Sequence, residues 1–196
     1  MITQMSKKIS SFFVANSIVI KEDIEFYEYS LEIFLSTILN FVAIVIMAVL
    51  TKSILITSVY LLGFIPLRLI AGGFHATTHL KCFLVLMGTY VTYLAIIKCI
   101  PHTWIFCSTI IANLVALVLI FILAPVEDEN KPVSEEGKKF FKVKSRIAII
   151  SYFIVVLIMM YTISNMIFAF SLALGLLSIA FSLLASLVRN KIQKSH

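Results

Sequence analysis

Two histidines, a lysine and a cysteine stand close together in AGGFHATTHLKC, a short segment between two long apolar stretches. His75 and His79 precede Cys82 by seven and three residues, and Lys81 is its direct neighbour. A histidine titrates near neutrality and can favour the thiolate of a nearby cysteine, which makes the sulfur a nucleophile. The segment is therefore a candidate site for cysteine-based attack on a carbonyl group.

The two histidines need different backbone conformations to reach Cys82. On a continuous helix, His79 and Cys82 share one face at a spacing of three residues. His75 shares that face too, but it lies about 10 Å further along the helix axis, which is too far for a hydrogen bond. If His75 is the general base, we expect the chain to bend between His75 and Cys82.

Three residues before the histidines are candidates for binding and orienting a substrate. Gly72 and Gly73 allow backbone conformations closed to other residues, and nearby amide groups could stabilise an oxyanion. A flexible turn is the simpler interpretation of the glycines alone. Arg68 could bind a substrate carboxylate or extend to lipid headgroups.

A metal site is the competing interpretation, because HATTH spaces two histidines by four residues and Cys82 offers a third ligand. A zinc peptidase helix of the HExxH type needs a glutamate directly after the first histidine. Ala76 occupies that position. The sequence therefore disfavours a hydrolytic zinc site, a structural metal stays open, and we expect no cofactor.

The composition indicates the elements that must position these residues. Hydrophobic residues make up 61% of the 196 residues and charged residues 13%, which is typical of an integral membrane protein. Since a helical crossing needs about 20 apolar residues, we predict one all-α membrane domain over residues 1–196 with six spans. Gly63 and Pro66 interrupt the second span. The predicted spans are Leu31–Leu50, Ile54–Leu69, Cys82–Ile97, Trp104–Ala124, Ile147–Ser164 and Met166–Val188.

The charges predict the orientation of these spans. With the N-terminus inside, the cytoplasmic segments contain 14 of the 16 lysines and arginines, and only Lys52 and Lys98 lie outside. Both termini and the catalytic segment 68–82 are then cytoplasmic. Residues 1–28, which lack a cleavage site, are predicted to form an amphipathic helix on the membrane surface, with a loosely ordered tail as the alternative.

Residues 125–146 are predicted to form a cytoplasmic loop whose acidic half precedes the basic half GKKFFKVKSR. Cations among aromatic residues at a membrane edge favour anionic lipids, with an acidic substrate as the alternative. We expect no nucleic acid partner. Glu32, at the start of the first span, is an auxiliary candidate together with His79 and Lys81, because an ionisable group at membrane depth is costly.

Five residues in one order, within six predicted spans, carry a family resemblance: Arg68, Gly72, Gly73, His75 and Cys82. In this pattern the chain resembles the accessory gene regulator B (AgrB) family, and APVEDENKP, Ala124 to Pro132, is similar to a second motif of that family. The resemblance implies a membrane cysteine endopeptidase of Gram-positive bacteria, with Cys82 as nucleophile and His75 as general base. It also implies quorum sensing as the process.

The implied partner is an AgrD-type precursor with an amphipathic leader, a pheromone segment and an acidic tail. Cys82 would attack the bond before the tail and form a thioester. A cysteine of the precursor would then attack that thioester and give a thiolactone, whereas a serine would give a lactone. The implied location is the cytoplasmic membrane, with the catalytic segment at its cytoplasmic face, and a second copy of the chain is a further candidate partner.

Two other function classes stay open. A small peptide transporter or exporter would need polar groups along several spans near the middle of the membrane, whereas the clear ionisable cluster lies at one turn. A structural membrane partner without catalysis would tolerate replacement of Cys82. The three cysteines, Cys82, Cys99 and Cys107, are expected to be free thiols, because their number is odd and two lie inside predicted spans.

Overall fold

The computed structural model describes residues 2–16, 19–20, 23–73, 78–126 and 135–194. Over these ranges the chain forms helices and no strand, which confirms the predicted all-α class. The helices are α1 (Ile2–Ala15), α2 (Ile24–Leu50), α3 (Ile54–Ala71), α4 (His79–Cys99), α5 (His102–Leu123), α6 (Glu135–Thr162) and α7 (Ile167–Lys194).

Six of the described helices are long and apolar enough to cross a membrane, as predicted. These candidate spans are Ile24–Leu50, Ile54–Ala71, Leu80–Cys99, His102–Leu123, Glu136–Thr162 and Ile167–Ile192. The second span is continuous, and α3 runs through both Gly63 and Pro66.

The start of the fifth span differs most from its prediction. Helix α6 begins at Glu135, whereas hydropathy placed the start of the span at Ile147. Hydropathy detects only the part of a helix that can lie in the hydrocarbon core of the membrane. The lysines that precede this part of α6 are good helix formers, so the helix continues through them. The basic half of the predicted 125–146 loop is therefore helical.

The chain divides into two compact units. One unit is formed by Met1–Lys52 and Thr77–Gly88, and the other by Ser53–Ala76 and Thr89–His196. The first unit thus contains α1, α2 and the beginning of α4. The second contains α3, the rest of α4, α5, α6 and α7.

In the first unit, hydroxyl groups of α1 bond to carboxylates of α2. The Thr3 hydroxyl donates to Glu32, and the Ser10 hydroxyl donates to Glu28 over 3.4 Å. Ser6 and Ser10 are buried. Because the later residue of α1 meets the earlier residue of α2, the two helices are antiparallel. The helix predicted within residues 1–28 is present, and its position on a membrane surface stays a prediction.

In the second unit, α7 is the central helix. In its apolar window 61% of the residues are buried, whereas no other candidate span exceeds 33%. Close approach depends on glycine, since a Cβ on Gly175 would lie 2.5 Å from the carbonyl oxygen of Tyr60 on α3. The core residues contributed by α7 include Ala169, Ala173, Leu176, Ile179, Ala180 and Leu183.

Helices α3 and α7 run parallel, because successive residues of one bond to successive residues of the other. The Ser171 hydroxyl donates to the carbonyl of Ile56 over 2.6 Å, and Tyr60 donates to Ser178 over 3.1 Å. Small residues and interhelical hydroxyl bonds of this kind are how membrane helices associate.

The second half of α4 joins this pair through two tyrosines. The hydroxyls of Tyr90 and Thr57 lie 2.8 Å apart, and those of Tyr93 and Ser171 lie 2.7 Å apart. The ring of Tyr93 also stacks on that of Tyr60, with 4.1 Å between centroids. Hydrogen bonds and ring stacking therefore fix this half of α4 against α3 and α7.

Candidate functional site

The end of α3 requires the two glycines that the sequence analysis singled out. Gly72 follows the last helical residue with φ of 77° and ψ of −145°, and its amide donates to the carbonyl of Arg68 over 3.2 Å. Gly73 has φ of 133°. Only glycine adopts such angles readily. The backbone here is thus a defined turn that depends on both glycines.

A second segment of the chain is paired with this turn. The amide of Val126 donates to the carbonyl of Ala71 over 3.1 Å, and Gly72 and Val126 form an isolated parallel bridge. A Cβ on Gly72 would collide with the carbonyl oxygen of Val126. Ala124 and Val126 are buried. The beginning of APVEDENKP therefore holds the turn that leads towards His75.

Arg68 lies one turn before the end of α3 and reaches α7. Its guanidinium donates a hydrogen bond from Nη1 to the Ser182 hydroxyl. Both groups border Gly73, since a Cβ at that glycine would lie 2.8 Å from Ser182 Oγ and 3.3 Å from Arg68 Cζ. A guanidinium in a fixed orientation is suited to binding a carboxylate.

Ser182, the partner of Arg68, was not among the candidates predicted from the sequence. A serine in an apolar span has no charge that would single it out. One signal was available, because Ser178, Ser182 and Ser186 recur every fourth residue along α7. This spacing is the small-residue pattern of a close helix–helix contact.

Cys82 lies in the first unit, in the first turn of α4. The Thr78 hydroxyl accepts a hydrogen bond from the Lys81 amide over 3.3 Å, so Thr78 is the N-cap of the helix. The Cys82 amide donates to the carbonyl of Thr78 over 3.0 Å. The thiol is free and partly buried. The capped first turn of α4 therefore fixes the backbone position of Cys82.

The side chains of the two histidine candidates lie outside the part of the chain that the structure describes. His75 lies outside the described residues, and of His79 the structure describes the backbone, as the first residue of α4. The pairing of a histidine with Cys82 and the predicted bend therefore stay predictions. Among the residues that are described, no three histidine, cysteine or acidic side chains are grouped to hold a metal ion.

The remaining candidates differ in their surroundings. Lys81 is exposed, while the carboxylate of Glu32 accepts the bond from Thr3 described above. Glu32 is thus tied to α1 within the first unit.

The basic first turns of α6 combine cations with aromatic rings. Lys144 Nζ lies 4.0 Å from the centroid of the Phe140 ring, and the Arg146 guanidinium lies 4.5 Å from that of Phe121. Lys142 is exposed. Such a surface suits anionic groups next to apolar ones, as a lipid headgroup region or an acidic peptide would present.

Comparison with known proteins gives one family. The accessory gene regulator B family matches residues 6–183. A protein of Listeria innocua serovar 6a named "Putative AgrB-like protein" is 33% identical over 132 residues, which cover 65% of this chain and 63% of that protein. A protein of Clostridium beijerinckii with the same name is 29% identical over 156 residues, or 76% of this chain and 74% of that protein.

The chain thus spans slightly less than two thirds of the length of the Listeria relatives. No solved structure matches it.

Proposed function

The chain belongs to the accessory gene regulator B family, and from that premise we propose that it is a membrane cysteine endopeptidase that processes an AgrD-type pheromone precursor in quorum sensing. A role in the accessory gene regulator system follows from the family itself. The observation that carries the enzymatic proposal is the free, partly buried thiol of Cys82 in the capped first turn of α4.

The proposed reaction has two acyl transfers. Cys82 Sγ attacks the carbonyl before the acidic tail, the C–N bond breaks, and His75 passes the thiol proton to the departing amine. The thiolate of the precursor's own cysteine then attacks the resulting thioester. A thiolactone forms, and the released Cys82 thiolate takes up, through His75, the proton that the precursor's thiol lost. A serine in the precursor gives a lactone by the same route.

The turn after α3 supports binding and orientation of the peptide. We assign oxyanion stabilisation to the backbone at Gly72 and Gly73, where a bridge and a required positive φ make the conformation rigid. Arg68 is assigned to a substrate carboxylate. The exposed Lys81 would attract the acidic tail, with salt screening limiting its range. His79 is an alternative base or an orienting group.

The surroundings of the enzyme are part of the same proposal. The six apolar helices fit a multi-pass membrane protein, and we propose the cytoplasmic membrane with the catalytic segment at the cytoplasmic face. The cations and rings at the start of α6 would bind anionic lipids. A second copy of the chain would help to enclose the peptide.

A peptide transporter is the second candidate, and the hydroxyl groups inside the second unit weigh against it. Thr57, Tyr60 and Tyr93 are bonded to side chains of neighbouring helices. Such bonds hold helices together, whereas a transport route needs polar groups turned towards its cargo.

The test is incubation of the purified protein, reconstituted in lipid, with a precursor that carries a leader, an internal cysteine and an acidic tail. Intact-mass spectrometry should detect a Cys82 adduct whose mass equals that of the precursor without its tail. Cys82→Ala should abolish both the adduct and tail release, and His75→Ala should nearly do so.

The matched controls are Cys99→Ala and Cys107→Ala, whose thiols are free and exposed and should be dispensable. If His79→Ala causes a large loss while His75→Ala does not, His79 is the working base. Tail release by the Cys82→Ala protein would overturn the proposal, as would its absence with wild-type protein across several matched precursors.

A further inference from the structure

We propose that Ser182 of α7 is a positioning residue for substrate binding: its hydroxyl holds the Arg68 guanidinium beside Gly73, where that guanidinium binds a carboxylate of the peptide substrate. The proposal rests on the peptide-processing function above and adds to it a residue that positions Arg68.

The first step of the argument is the contact itself. Arg68 and Ser182 are 114 positions apart in the chain, and the guanidinium donates directly to the hydroxyl. A guanidinium is a rigid planar fork of five N–H donors, so one bond orients the whole plane. An arginine side chain otherwise samples many rotamers, and ordering it on binding has an entropic cost. The Ser182 bond supplies part of that order in advance.

The second step is the rigidity of the helix that carries Ser182. Its neighbours Ile179 and Leu183 are fully buried in the core of the second unit. One turn earlier, the hydroxyl of Ser178 accepts a hydrogen bond from Tyr60 on α3. Position 182 is therefore fixed relative to α3, and the bond transmits this fixed position to the guanidinium.

The third step is the backbone beside the guanidinium. Gly73 is buried, and a side chain there would meet both Ser182 Oγ and Arg68 Cζ, so the hydroxyl and the guanidinium can lie against the main chain only because the residue is glycine. A guanidinium fixed in this way is suited to binding and orienting a carboxylate, since the two oxygens match the fork. The ligand class is thus an acidic peptide.

The experiment measures binding rather than turnover, so that it stands apart from the proposed chemistry. Two precursors are compared: one with an acidic tail, and one in which every tail carboxylate is replaced by the matching amide. Both are titrated against reconstituted protein that carries Cys82→Ala, which cannot consume them by the proposed route.

Adding Ser182→Ala should weaken binding of the acidic precursor by roughly fivefold to tenfold, the usual effect of losing one hydrogen bond. Binding of the amide precursor should change less than about twofold, because that precursor offers no carboxylate to the guanidinium. Ser182→Thr keeps a hydroxyl and should restore most of the affinity for the acidic precursor.

The matched control is Ser178→Ala, which removes a hydroxyl one turn away on the same helix but bonded to Tyr60. Its effect should be the same for the two precursors. Equal weakening of both precursors by Ser182→Ala would show a purely structural role and overturn the proposal, as would no weakening of either. If the acidic precursor binds as expected but wild-type protein releases no tail, the proposed enzymatic function fails and the carboxylate site stands.

Discussion

Gly72 has a φ of 77° and lies directly against the carbonyl oxygen of Val126. From the residue type alone, the sequence allowed a special backbone at this position but favoured a flexible turn as the simpler interpretation. It could not indicate that the turn is paired with Val126, because a backbone bridge leaves no pattern in side-chain types. The same holds for Arg68: its charge made it a candidate, and only the packing of α7 against α3 revealed Ser182 as its partner.

At the residue scale, we predict that Gly72→Ala destabilises the turn. The substitution adds a methyl group where the Val126 oxygen lies and forces an unfavourable φ, which together cost about 1–3 kcal/mol. The free energy of unfolding of the reconstituted protein, measured in mixed detergent micelles, should decrease by this amount. The rate of tail release should fall as well.

Gly88→Ala is the matched control for this change. A Cβ at Gly88 meets nothing within 4 Å, and alanine is the better helix former by about 1 kcal/mol. The control should therefore be neutral or stabilising. Equal losses at both glycines would contradict the importance that we assign to the Val126 contact.

At the element scale, hydropathy found every span but treated the six alike. It could not indicate that α7 is central, since lipid and a neighbouring helix are equally apolar surroundings. The small residues of α7 decide its position, because Gly175 lets the Tyr60 backbone approach closely. The start of α6 was placed too late for a related reason: charged residues end the hydrocarbon-compatible window without ending the helix.

The bond between Tyr93 and Ser171 tests how α4 is held. We predict a coupling of about 0.6 kcal/mol, and at most about 1.7, between Tyr93→Phe and Ser171→Ala in a double-mutant cycle of unfolding free energies. Tyr93→Phe keeps the stacking on Tyr60 and removes only the hydroxyl. Tyr161→Phe is the control, because that side chain is 93% exposed and should be neutral. Simple additivity of the two changes would exclude the bond as a support of α4.

At the scale of the whole molecule, the distribution of lysine and arginine predicts that both termini are cytoplasmic. The parallel course of α3 and α7 agrees with a six-span chain, in which the second and sixth spans cross in the same direction. The sidedness itself rests on the charges and stays a prediction.

Cysteine labelling tests this orientation. In a chain whose three cysteines are replaced by serine, we predict that Lys52→Cys reacts with a membrane-impermeant maleimide in intact cells. Lys8→Cys and Lys191→Cys, which also replace exposed lysines, should react only after the cells are permeabilised. Labelling of either of these two positions in intact cells would contradict the predicted cytoplasmic location of the termini.

The sequence by itself determined the membrane class, the six spans and the candidate residues Arg68, Gly72, Gly73 and Cys82. These follow from local properties: about 20 apolar residues cross a bilayer, and a helix satisfies its own backbone hydrogen bonds. Only the tertiary structure decided that α7 is central, that Val126 pairs with Gly72 and that Ser182 holds Arg68. In an apolar solvent, hydropathy cannot rank helix pairings, so small residues and a few distant hydrogen bonds determine them.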